Sequence, residues 1–449
     1  MENSAYFELV KVTANQLENI MNVSLSDRAK DTVKKVLGRS VRTKDPLFWP
    51  AGMLMLGLVS ALEYLDAESV GEGNVTGSSD AGDLGADSPK TYADSARGLR
   101  KRIESVIGKH LDMWLSKYGG KIDYIDDALS GFCFIKMYER TRNTKYKDAA
   151  DKLAEFIIKS PKDSAGSVIY NASRGNKNIF ADGVGQVAMF AAEYIKVFGT
   201  GEDSSEGVES RHKAEQKKFV EGMRSVKDNL LKNFHTFGRD PKSGLIYHAY
   251  ELQENVRYVI DGVNNEEQRR HTEFFAEKKG LMCWGRAFGW LIMGAAGAAA
   301  SSSSAAAGPG AEGGIGATGA AASGSSGAFD VGDWFKELAL ATLDYQREDG
   351  GWSWQLQSVD GHIDMSATGM IAYALSVGLK SDIFSAEEQT KIKEAVQKAS
   401  ECMSHHIDGG AVLDALSSCD DFGVHYQTYG NYPWGQGAVL AAMSFAKAN

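Results

Sequence analysis

Apolar residues recur three and four positions apart over most of this chain, the spacing of one face of an α-helix. About twelve segments carry it: 25–38, 51–65, 95–117, 126–140, 145–159, 181–198, 211–233, 281–299, 330–346, 365–378, 386–404 and 434–447. Strand-like alternation is rare, and its best candidate is Gly244-Leu245-Ile246-Tyr247-His248, after a turn at 240–244. Some segments, such as Met53 to Leu62, are apolar nearly all round and suit an inner ring. Others, such as Tyr146 to Ile158, are one-faced and suit an outer ring. Twelve helices pair into six hairpins, so the pattern predicts an all-α protein, an (α/α)6 barrel.

Three stretches break the rhythm. Residues 66–94 are acidic and rich in Gly and Ser, 199–212 are charged, and 300–328 are almost wholly Ala, Ser and Gly. Such composition buries too little apolar surface to order itself. Because the helical pattern resumes after each, they read as flexible, disordered surface inserts in a single barrel domain spanning 1–449.

Composition narrows the function. Of 449 residues, 49 are Lys or Arg and 59 are Asp or Glu, a net charge of −10 that repels phosphate backbones and argues against nucleic acid as a partner. The basic runs Arg97–Arg102 and Gln268–His271 read as solvated helix faces. The four cysteines, Cys133, Cys283, Cys402 and Cys419, form no CxxC pair and no disulfide framework, so no metal cluster is expected. No run of about 18 apolar residues suggests a membrane span. The first residues carry neither a basic nor an apolar signal region, and a cytoplasmic location is expected.

Candidate chemistry collects at the starts of apolar helices. Asp182 stands among apolar neighbours in Ile179-Phe180-Ala181-Asp182-Gly183. It reads either as a helix cap or as an acid whose pKa is raised by burial. Cys283-Trp284-Gly285-Arg286-Ala287-Phe288-Gly289-Trp290 places two indoles that can stack on a sugar beside a guanidinium that can grip a carboxylate. Tyr247-His248 offers an imidazole, and Lys121-Ile122-Asp123-Tyr124-Ile125-Asp126-Asp127 offers three carboxylates, of which one can face a site and two can be caps. Tyr429 to Gly437, with Trp434, is an aromatic, glycine-rich lead-in to the last helix, and Asp364-Met365-Ser366-Ala367-Thr368 opens another.

In this order the clusters resemble the unsaturated rhamnogalacturonyl and glucuronyl hydrolases of glycoside hydrolase families 105 and 88, the former more closely. Trp284 to Trp290 looks like a WGRGxGW segment with Ala287 for the usual Gly. Asp182-Gly183 looks like the D-G step of a W-x-D-G-x-x-M helix start whose Asp is catalytic. Tyr247-His248 matches a Y-H pair, and Asp364 to Thr368 matches an E-T-S-A segment with Asp for Glu. Ile122-Asp123-Tyr124-Ile125 resembles an L-D-x-I segment with a second site Asp, and Phe48-Trp49-Pro50 is a poorer match to a W-D-Y lead-in.

The resemblance implies removal of a terminal 4,5-unsaturated uronic acid from an oligosaccharide, with galacturonate next to rhamnose as the usual substrate and no metal or cofactor required. Asp182 is then the acid/base and Asp123 a supporting carboxylate. His248, Arg286 and Tyr247 hold the substrate, and Trp284, Trp290 and Trp434 form stacking walls. Three rival readings remain. One is an inverting glycosidase using Asp182 and Asp364, another an inactive sugar-binding protein, and the third a sugar epimerase.

Overall fold

The computed structural model describes residues 1–22, 45–72, 89–172, 175–199, 210–261, 267–306, 329–419 and 421–448. Twelve α-helices lie among them. In chain order they are α1 (Asn3–Asn19), α2 (Trp49–Glu72), α3 (Pro89–Lys117), α4 (Ala128–Thr141), α5 (Thr144–Lys159), α6 (Ala181–Phe198), α7 (Ser210–Phe237), α8 (Gly285–Ala306), α9 (Val331–Leu343), α10 (Met365–Gly378), α11 (Ala386–His405) and α12 (Pro433–Ala448).

Six of these close a ring. Neighbours pack in the order α2, α4, α6, α8, α10, α12 and back to α2. Their sequences explain why: residues 51–62 of α2 are all buried, as is every residue of α10 except Val377. A helix apolar all round needs neighbours on every side. Glycines let the backbones approach where the ring is tightest. A side chain at Gly185 would collide with the Trp290 carbonyl of α8, and one at Gly437 with the Met53 carbonyl of α2.

The other six helices form the outer layer and bury one stripe each. In α5 the stripe is Tyr146, Ala149, Ala150, Leu153, Ala154 and Ile157. Asn143 caps α5, and Ser385 with Glu388 forms a capping box at α11. The architecture is the expected (α/α)6 barrel, with one reassignment. Its sixth outer helix is α1, which packs on α2, α3 and α12 through Tyr6, Leu9, Val10 and Leu17. The helix expected over 25–38 lies outside the described residues.

The inserts are shorter than expected. Residues 66–72 extend α2, 89–94 begin α3, 210–212 begin α7 and 300–306 extend α8; the rest of each lies outside the described residues. The helical barrel also carries a three-stranded sheet. Strand β1 (Asn178–Phe180) pairs with β2 (Tyr247–Asp261), and β2 pairs antiparallel with β3 (Glu267–Met282). The expected strand at 244–248 is thus only the root of a long hairpin. Gln268–His271 lies on β3 rather than on a helix. Polar residues at successive positions hide the two-residue period that a half-buried strand would show. Four two-residue strands, β4 (Ile407–Asp408), β5 (Ala411–Val412), β6 (Ala415–Leu416) and β7 (Tyr429–Gly430), tie down the loops before α12.

Candidate active site

The starts of the inner helices meet at one mouth. Asp182 is the second residue of α6, and its helix is capped by Phe180 without a side-chain bond. Its carboxylate is therefore free of the capping role. It faces His248, with Oδ2 3.1 Å from Nε2, a close pair without an aligned hydrogen bond. The strand pairing of Phe180 with Ala249 puts the two residues side by side.

A short 3-10 turn, Ile125–Asp127, leads into α4 and buries Asp126 and Asp127. Burial raises the pKa of Asp126 to about 8, and the charge of Asp182 adds to the rise; a hydrogen bond from Tyr170 opposes it. Asp127 is also pushed well above the usual range, first by burial and then by Asp45 beside it. The expected supporting carboxylate, Asp123, is corrected. Its side chain is 37% exposed and pairs with Lys121 at 2.6 Å, whereas Asp126 is the one coupled to Asp182.

His248 sits in a box of rings: Trp284 at 4.7 Å, Phe180 at 5.2 Å and Phe422 at 5.6 Å between centroids. Across the mouth, Trp49 meets Trp434 at 4.8 Å and Trp290 at 6.2 Å, and Trp434 stacks on Tyr432. Arg286 lies among Trp49, Trp284 and Trp434. Both its terminal nitrogens already donate, Nη1 to the Leu416 carbonyl at 2.8 Å and Nη2 to that of Ser417 at 3.0 Å. Arg286 thereby anchors the aromatic wall to the loop before α12. Tyr247 lies at the hairpin root with the Lys278 ammonium 5.1 Å over its ring.

Asp364 is fully buried and caps α10. Its Oδ1 accepts from the Ser366 amide and hydroxyl and from the Leu416 amide. The sequence-predicted residues brought together at the mouth are therefore Asp182, His248, Trp284, Arg286, Trp290 and Trp434. Missed in the sequence were Trp49, Tyr170, Phe422 and Gln186; Trp49 stood in a segment already singled out.

Buried polar atoms without partners gather here too, among them Asp126 Oδ1, Gln186 Oε1, His248 Nδ1 and Trp284 Nε1. Such atoms are costly unless a ligand or solvent meets them. A cavity of about 450 Å³ lies between α2 and α4 around Glu63, Asp66, Lys136 and Arg140. Its charges satisfy one another: Lys136 pairs with Glu63 and Glu193, and Arg140 with Asp66 and Glu104.

The sequence matches the family described as Glycosyl Hydrolase Family 88 over residues 99–447. The chain belongs to that family. It is thus by family a glycoside hydrolase. No curated protein is similar enough to match.

Among solved structures, a possible family 105 member from Klebsiella pneumoniae superposes with a TM-score of 0.62 at 14% identity, covering 100% of this chain and 94% of that one. An unsaturated glucuronyl hydrolase from Streptococcus agalactiae superposes with a TM-score of 0.58 at 13% identity, covering 99% and 92%. Another from Bacillus sp. GL1 gives 0.53 at 14% identity, covering 90% and 87%. At these identities the likeness is one of fold. Among the described residues no helix is long and apolar enough to cross a membrane.

Proposed function

We propose that this family 88 hydrolase removes a terminal 4,5-unsaturated uronic acid from an oligosaccharide, working as one catalytic barrel domain. The observation that carries the reading is the buried Asp126 beside Asp182 at an aromatic-walled mouth, in a family and fold shared with unsaturated glucuronyl hydrolases.

The pair holds a proton at neutral pH, because burial and the neighbouring charge keep Asp126 neutral. Asp182, at the open side, takes this proton from Asp126 and delivers it to C4 of the vinyl ether. Water adds at C5 and returns its proton to the carboxylate pair. The resulting hemiketal opens, the C1–oxygen bond to the next sugar breaks, and that sugar leaves with a proton. Trp284, Trp290 and Trp434 supply apolar faces for the rings, while His248 orients the carboxylate of Asp182. Asp123 takes no part in this scheme. Galacturonate followed by rhamnose is the substrate we propose. Three of the four free cysteines are buried, in keeping with a reducing, cytoplasmic setting.

An inverting glycosidase needs two carboxyl groups across the anomeric bond. Asp364, the candidate for the second, is occupied as a helix cap, which favours vinyl-ether hydration. The test offers the enzyme a lyase-generated unsaturated galacturonyl-rhamnose and a saturated aryl galacturonide. The reading expects turnover of the first alone. Turnover of the saturated glycoside at a comparable rate would overturn it.

A further inference from the structure

One residue facing the bore is used neither by the fold nor by the chemistry above. Gln186 is one turn into α6 and 1% exposed, and its Oε1 has no partner. Its neighbours along the helix, Val184, Val187, Ala188 and Met189, are apolar and buried.

Where it points follows from the two glycines beside it. A side chain at Gly183 would meet Ile125 and Asp126, on the α4 side; one at Gly185 would strike the Trp290 backbone, on the α8 side. Successive helical residues are about 100° apart. The direction midway between those two neighbours, toward the barrel axis, therefore falls within about 40° of Asp182, Gln186, Met189 and Glu193. Asp182 stands at the mouth end of this stripe. Glu193 stands at the far end, paired with Lys136 at 3.1 Å. Gln186 lies about 6 Å below Asp182 on the same face. It is a buried polar group one turn below the mouth.

We propose that Gln186 is a substrate-binding residue whose amide oxygen accepts a hydrogen bond from the C3 hydroxyl of the terminal unsaturated ring. The assignment rests on the function proposed above and on ring geometry. C1 carries the leaving sugar and must face out of the mouth. C4, opposite C1, must lie at Asp182. The hydroxyl on the adjacent C3 then occupies the inner edge of the ring, where the unpaired acceptor is. A buried acceptor that meets a hydroxyl selects strongly for that hydroxyl, because an analogue lacking it leaves the acceptor unpaired. Removing the acceptor should weaken binding without loosening the fold, since no protein group bonds to it.

The experiment measures binding of unsaturated galacturonyl-rhamnose by calorimetry to Asp182→Asn and to Asp182→Asn with Gln186→Leu or Gln186→Met, with Tm recorded for each. Turnover of the same disaccharide by the wild type is followed alongside. The expected result is a Kd about tenfold weaker for both Gln186 variants, with Tm unchanged or higher. A Kd within twofold of the Asp182→Asn parent, or weakening that comes only with a fall in Tm, would overturn the assignment. Binding by Asp182→Asn without wild-type turnover would instead count against the proposed reaction and leave Gln186 to be judged by Kd. Absence of binding by every variant would overturn both.

Discussion

At the scale of single residues, the decisive arrangement is two carboxyl groups of unequal burial. Asp126 is 3% exposed, whereas the Asp182 side chain keeps 20% and opens toward the mouth. The folded pKa of Asp126, about 8, lies above the unfolded value near 3.9. Neutral Asp126 therefore favours the fold most in acid, and this contribution is lost as pH rises through about 8. Two outcomes are expected. In thermal melts, the gap in Tm between Asp126→Asn and wild type should move in favour of the variant between pH 6 and 9. In kinetics, wild-type kcat should fall above about pH 8, as the pair loses its proton, and Asp126→Asn should lack that limb. A wild-type rate still rising at pH 9 would contradict the shared proton.

The sequence placed three carboxylates ahead of α4 but did not say which turns inward. That choice depends on the 3-10 turn, which buries 126 and 127 and leaves 123 at the surface beside Lys121. Asp182 was legible because a charge inside a long apolar run needs a reason. Phe422 was not: its neighbours carry no periodic pattern, and only the folded loop brings it to His248.

At the scale of elements, periodicity located the inner helices well, because a helix buried on all sides advertises itself. Residues 181–198 and 365–378 form α6 and α10 with the expected bounds. Helix α1 was harder to see, since its buried stripe of Tyr6, Leu9, Val10 and Leu17 is narrow and interleaved with polar residues. Its place in the barrel makes a prediction. Leu9→Ala removes a fully buried side chain and should cost about 2–5 kcal/mol in urea denaturation. A cost below about 1 kcal/mol would mean that α1 is not an integral outer helix. A second check concerns the capping box of α11: Ser385→Ala should cost about 1 kcal/mol, with kcat unchanged.

At the scale of the whole molecule, the two ends of the barrel divide the labour. The mouth gathers unpaired polar atoms and closely packed aromatic rings. The far end is knitted by charge: Lys136 of α4 binds Glu63 of α2 and Glu193 of α6, linking three consecutive inner helices. Breaking a partly buried pair by removing one partner strands the other charges. Lys136→Met should therefore lower stability by about 3 kcal/mol while KM stays within twofold of wild type. A changed KM with an intact fold would show that the far end communicates with the mouth.

The central claim is that the double bond is hydrated, not that the glycosidic bond is cut directly. The measurement that tests it follows the ultraviolet absorbance of the C4=C5 bond and the release of the second sugar in the same reaction, for wild type and Asp182→Asn. Absorbance should fall in step with or ahead of sugar release in the wild type, and both should slow by about 10²–10⁴-fold in the variant. Sugar released while the absorbance persists, or an Asp182→Asn enzyme of near-normal rate, would contradict the account.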